Sequence, residues 1–332
     1  MKQQIILRTP DHWNISVYKY DSGNVTKKYP VFLLHGIASN HQIWDTGVDK
    51  YDFAKRLVRE GYRVYSLDLR GRSGSDGPHT GRGDSWSIDD YLLCDLPATI
   101  EYILEDSKVD KLHWVGHSLG GILGFFYQIR HKASNLQSLT AFASALTYTF
   151  STINHFRTYM DYLSAMQYYP VDLWYKIVLP LVDMDTYFTR FIWHADNLDP
   201  EIKRVIINEI VQKIAVLEWN QIKTISAAEG MPRISGGFNH YVNDRRIVTP
   251  AFLITGDRDW VCAVDGVEWT RDQLKCPTRM AIYGKDYGNK THYGHLDIVC
   301  GLNAPEETWP PVLDWLAGMD RSENPIGDSS KI

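Results

Sequence analysis

The sequence predicts an α/β chain: a mainly parallel, doubly wound sheet interrupted by a helical cap. Three observations carry that expectation. Over residues 1–147 short apolar runs alternate with amphipathic stretches, the rhythm of strands joined by helices that cover both faces of a sheet. The run Val31-Phe32-Leu33-Leu34 is apolar at every position, as in a strand buried on both sides. The rhythm then stops from 148 to 248 and restarts at Thr249-Pro250. One core, 1–147 with 249–332, is therefore expected to carry an insertion at 148–248.

In chain order, Ile5–Leu7 and Ile15–Tyr18 read as short strands around a Thr9-Pro10-Asp11 turn. Val31–Leu34 follows, then a helix with Ala54, Leu57 and Val58 on one face that closes at Gly61. Val64–Leu67 is the next strand. Ser87-Ile88-Asp89-Asp90 has the form of a capping box. It opens a helix with Ile88, Leu92, Leu96, Ile100 and Ile103 on one side, which Pro97 should kink or split. A strand beginning at Leu112 leads into a helix whose Ile122, Phe125 and Phe126 face inward, and Leu139–Leu146 reads as another strand. The insertion shows helical patterns, no convincing strand, and many aromatic residues, among them Phe150, Trp174, Phe191 and Trp193. Ala251–Thr255, a helix near Val264–Leu274, a strand at Arg279–Tyr283 and an amphipathic helix at Trp309–Met319 complete the core. From Asp320 the tail is polar and expected to fray.

At 332 residues the chain suits one large domain with an insertion. A net charge of −5 is mild, and dispersed Lys and Arg do not call for nucleic acid. Four cysteines without C-x-x-C spacing point to reduced, mostly buried thiols rather than a disulfide framework or a metal site. The N-terminal apolar run is too short for a signal peptide and no stretch is long enough to span a bilayer, so the default location is cytoplasmic.

The chemistry gathers around Gly116-His117-Ser118-Leu119-Gly120. A strand, a turn too tight for ordinary backbone and a helix form a nucleophile elbow, with Ser118 strained at the apex. Gly116 and Gly120 are small because strand and helix cross in contact there. A serine hydroxyl needs a base, and the base needs an acid that holds its tautomer. In such a sheet these groups sit at the carboxyl ends of strands. After Ala251–Thr255 come Asp257 and Asp259, either of which can orient an imidazole. Only His292 and His295, of twelve histidines, lie beyond that acid. His117 is a poor base, because at a sharp turn its side chain points away from that of Ser118. The oxyanion needs two N–H donors: Leu119, which follows the nucleophile, and Ile37, where His35-Gly36 ends an apolar strand.

With these pieces the chain resembles the α/β-hydrolase superfamily over 1–147 and 249–332. His35-Gly36 resembles the family's oxyanion loop and Gly116-His117-Ser118-Leu119-Gly120-Gly121 its elbow. Gly256-x-x-Asp259 resembles the acid turn, and so favours Asp259 over Asp257. Gly294-His295-Leu296-Asp297 resembles the histidine loop of acid-type lipases and polyester-synthase-like relatives. Those synthases have a cysteine nucleophile, from which Ser118 departs. Asp68-Leu69-Arg70-Gly71-Arg72-Ser73-Gly74-Ser75 is similar to the D-x-R-G-x-G-x-S turn, with Ser73 where glycine is usual.

The resemblance implies a serine esterase or lipase with a Ser118–Asp259–His295 triad, Ile37 and Leu119 as oxyanion donors, and no metal or organic cofactor. An aromatic-rich cap over the sheet's carboxyl edge implies a small ester with an apolar side, with His35, Trp44 and His117 as candidate pocket residues. The rival readings are a carbon–carbon bond hydrolase, a thioesterase or acyltransferase, and a low-turnover ligand sensor.

Overall fold

The computed structural model describes residues 1–83, 85–131, 134–151, 168–169, 171–178, 184, 186, 189–227, 233–234, 238–239 and 247–321. Eight strands form one sheet: β1 (Lys2–Arg8), β2 (Asn14–Tyr20), β3 (Val31–Leu34), β4 (Val64–Asp68), β5 (Leu112–His117), β6 (Leu136–Phe142), β7 (Ala251–Gly256) and β8 (Thr278–Tyr283). Their spatial order is β1-β2-β4-β3-β5-β6-β7-β8. The pairs from β4 to β8 are parallel, and β1 and β2 add an antiparallel edge. Every residue of β3, β4, β5, β6 and β7 is buried, so the continuous apolar runs reflect strands covered on both faces.

The connecting helices are α1 (Phe53–Arg59), α2 (Leu96–Ser107), α3 (Leu119–His131), α4 (Val264–Gln273) and α5 (Trp309–Arg321). Asp90 accepts from both the amide and the hydroxyl of Ser87, each at 2.7 Å, as the capping box requires. Pro97 does split the helix. A short turn at Ile88–Asp90 passes through a π-helical turn at Tyr91–Asp95 before α2 begins. Pro97 thus sits at the second position of α2, directly after the π-helical turn.

Three expectations need correction. β6 starts three residues earlier than Leu139 and stops four before Leu146. Gln137 and Ser138 disguise its start. Both are buried and hydrogen-bonded, Gln137 Nε2 donating to the Met319 carbonyl at 2.6 Å and Ser138 Oγ meeting His113 Nδ1 at 2.8 Å. Ala143, with a φ of +47°, ends the strand and turns the chain across the sheet's carboxyl edge. The insertion also contains strands: Tyr168–Tyr169 pairs antiparallel with Ile214–Ala215, and Arg233–Ile234 with Phe238–Asn239. Two-residue strands are too short to show a period in sequence. Finally, Asp320 belongs to α5, and its carboxylate lies 3.2 Å from His113 Nε2.

The described part of the insertion sits over the carboxyl edge of the sheet. Gln212 N donates to Ala38 O at 2.9 Å, Asn40 Nδ2 to Glu209 O at 2.7 Å, and Leu296 N to Ile192 O at 2.7 Å. Arg72, in the turn after β4, makes a fully buried ion pair with Glu218 at 2.6 Å and donates to Lys213 O at 2.9 Å. In that same turn Ser73 accepts from Asn40 Nδ2 at 3.1 Å and does not have a positive φ, so a side chain fits where glycine is usual. Of the insertion's aromatics, Trp193 is buried, Phe191 meets Trp260 edge-on at 5.6 Å, and the Trp174 side chain lies outside the described residues.

The β5–α3 crossing is tight. A methyl group added at Gly116 would lie 2.3 Å from the Gly120 carbonyl carbon, and one at Gly120 2.3 Å from Leu34 O. Backbone on both sides leaves nothing to move aside. Gly120→Ala should therefore destabilise the fold by about 1–3 kcal/mol or more. A drop in the urea midpoint reads this out; an unchanged midpoint would mean that the crossing has slack.

Candidate active site

Ser118 joins β5 to α3 with a φ of +53°, the strained apex that the elbow demands. The turn is held from behind. Ser118 N donates to Phe142 O and Ser144 Oγ to Ser118 O, each at 2.8 Å, while Trp114 Nε1 donates to Gly120 O at 2.9 Å. The loop after β3 presses on the same turn, since a methyl at Gly36 would come 3.0 Å from Ser118 Cβ. Ile37 and Leu119 thus flank the serine. Among the described residues neither backbone N–H is engaged by a protein acceptor.

The two acids divide between two histidines. Asp259 Oδ2 accepts from His295 Nδ1 at 2.8 Å, and its Oδ1 is fixed by the amides of Val261 (2.8 Å) and Cys262 (2.7 Å). With the Nδ1 proton committed to the carboxylate, Nε2 of a neutral His295 carries the lone pair. Asp257 instead meets His292 Nδ1 at 2.5 Å and accepts from Tyr293 N at 3.1 Å. The carboxylates are two positions apart in one turn, and the geometry assigns each its own ring.

His117 has a different setting from the other histidines. Its Nε2–H donates to the His295 carbonyl at 2.9 Å, and the two rings lie 4.8 Å apart. Burial pushes its pKa well below the usual histidine range, with the His295 charge acting in the same direction. A neutral His117 therefore props the histidine loop from beneath. His35 is equally enclosed: Nδ1–H donates to Gly36 O at 2.7 Å and Nε2 accepts from Leu69 N at 3.3 Å. Burial lowers its pKa to about 4, which keeps this tautomer neutral. Trp44 packs between Phe53 and Phe142, with ring centres 6.0 and 6.2 Å away. All three expected pocket residues are inside the core, at 0 or 1% exposure.

Two further residues adjoin the site, neither given a role from the sequence. Tyr148 is buried with its hydroxyl against Ser118; burial pushes its phenol well above the ordinary value, and nearby Cys262 and Asp259 add to that. It lies at the start of the expected insertion, just past the Leu139–Leu146 run, where no periodicity signals a turn toward the serine. Asp297, fully buried, receives N–H groups from Gly294 and His194 and from the Asn197 side chain. Its signal was in the Gly-His-Leu-Asp wording, but its partners come from the insertion. The four cysteines are free thiols, three of them buried.

A sequence-family profile described as the alpha/beta hydrolase fold matches residues 29–171. With the eight-stranded order and the elbow, this match shows the alpha/beta hydrolase fold. The chain is similar to the gastric triacylglycerol lipase of Bos taurus, 24% identical over 93% of this chain and 86% of that one. It is also similar to the lysosomal acid lipase/cholesteryl ester hydrolase of Macaca fascicularis, 28% identical over 94% and 86%. The match to the gastric lipase of Rattus norvegicus is 31% identical but spans only 37% of this chain and 34% of that protein. Among solved structures, a thermophilic esterase from Thermogutta terrifontis superposes with a TM-score of 0.61 at 14% identity, over 96% of this chain and 99% of that one. No described helix of the chain is long and apolar enough to cross a membrane.

Proposed function

We propose that the protein is a serine hydrolase that cleaves carboxylic esters with an apolar acyl or alcohol part through an acyl-enzyme. The observation that carries the reading is the 2.8 Å pair of His295 and Asp259 at the sheet edge where Ser118 stands at positive φ. In the cycle, His295 Nε2 takes the Ser118 proton as Oγ attacks the ester carbonyl. The Ile37 and Leu119 N–H groups hold the oxyanion, and the Asp259 carboxylate steadies the imidazolium. His295 then gives the proton to the departing alcohol. Water activated by the same imidazole releases the acid. Lipase and esterase relatives support the ester class.

An apolar substrate side is favoured by what adjoins the oxyanion strand. Ile37 and Ala38 pack against Ile214 and Trp219 of the insertion, an apolar cluster next to the proposed oxyanion donor. Nitrophenyl esters of increasing acyl length test this. The value of kcat/KM should rise about fourfold per methylene that the pocket covers, from roughly 0.8 kcal/mol of burial each. A flat or falling series would remove the apolar acyl reading.

A further inference from the structure

The insertion meets the histidine loop around a buried carboxylate. Asp297 Oδ1 accepts from Gly294 N and His194 N, both at 3.0 Å; Oδ2 accepts from Gly294 N at 3.0 Å and Asn197 Nδ2 at 2.8 Å. Main-chain bonds flank this hub on both sides: Leu296 N to Ile192 O at 2.7 Å, and Leu302 N to Asn197 O at 2.9 Å. The two backbones are in direct contact. A methyl at Gly294 would sit 2.8 Å from His194 N, and one at Gly301 2.9 Å from Asn197 O. No ion pair to Asp297 exists among the described residues, so N–H dipoles alone hold its charge. Burial pushes its carboxyl up to about 7, against the pull of those donors. A carboxyl group held at that cost packs no better than an apolar side chain would. Its value lies in joining two segments from distant parts of the sequence.

We propose that Asp297 is a positioning residue that makes residues 192–197 of the insertion and the 294–302 loop one unit, so that the insertion's seating sets the placement of the His295 imidazole. This rests on the reading of His295 as the catalytic base. His295 is two residues before Asp297, and among the described residues the His117 prop and the Asp259 bond are what otherwise hold it. A displaced insertion would thus misalign the base rather than simply uncover the site.

The test uses Asn197→Ala, which alters the hub from the insertion side, and Asp297→Ala, which removes it. Hydrogen exchange by mass spectrometry on the full-length protein should show 190–199 and 292–302 exchanging faster together in Asn197→Ala, with β5 and β6 unchanged. On a nitrophenyl ester, kcat should fall by about tenfold in Asn197→Ala and up to about 10²-fold in Asp297→Ala, with KM held within about twofold. The double variant should be no worse than Asp297→Ala, because both changes break the same contact. Faster exchange at 190–199 with 292–302 unmoved would overturn the proposal, as would losses that multiply or that appear in KM. If Asp297→Ala does not fold, Asn197→Ala alone decides between these outcomes. The exchange readout needs no activity, so a wild type that hydrolyses nothing would sink the hydrolase reading while the coupling is still judged.

Discussion

Ser118→Ala should lower kcat for ester hydrolysis by about 10⁶-fold while the protein stays folded. The size follows from the chemistry. Alanine leaves the oxyanion donors and binding surface intact but offers no oxygen to acylate, so residual rate over water is limited to about 10³–10⁴-fold. Folding should be spared, because the contacts that hold the turn use the Ser118 backbone: N to Phe142 O and O to Ser144 Oγ. Alanine at a φ of +53° is as strained as serine, so Tm should barely move. Initial rates on a nitrophenyl ester and a thermal melt check both halves. Retained turnover in a folded Ser118→Ala protein would mean that another group does the chemistry.

Asp259→Asn should cost about 10⁴-fold in kcat, and Asp257→Asn far less. The carboxylate at 259 accepts the Nδ1 proton of His295, with its second oxygen clamped by the Val261 and Cys262 amides. An amide there turns its NH2 toward one set of donors or the other. If it faces His295, the ring must place its proton on Nε2 and can no longer act as base. Asp257 holds His292 and the Tyr293 amide instead. It is also wedged against the end of β8, where a methyl at Gly284 would meet its Cγ at 2.1 Å. Asp257→Asn should thus appear in Tm rather than in kcat. Steady-state kinetics and melts of the two variants side by side decide the matter, and a larger kcat loss at Asp257 would reverse the assignment.

Much of this was legible in the sequence because it depends on local pattern. The β3 run is apolar throughout and β4, β5 and β7 are mostly so since both faces are covered, and Gly116 and Gly120 mark the crossing behind Ser118. What escaped depends on partners distant in the chain. Gln137 and Ser138 look wrong for a buried strand until Met319 and His113 are seen to hydrogen-bond them. Asp320 looks like a frayed end until it meets His113. By spacing alone Asp257 and Asp259 are equivalent; the Gly256-x-x-Asp259 resemblance favours Asp259, and the fold pairs each with its own ring. Tyr148 has no local mark, and Asp297 has one only in the Gly-His-Leu-Asp wording, because their partners are Ser118 in one case and the insertion in the other.

The central claim is that Ser118, activated by His295, is the nucleophile. Intact-mass analysis after treatment with a fluorophosphonate, followed by peptide mapping, tests it most directly. The account predicts one adduct per chain, on Ser118, absent from Ser118→Ala and formed far more slowly in His295→Ala. A folded wild type that takes no adduct, or an adduct mapped to any other residue, would contradict it.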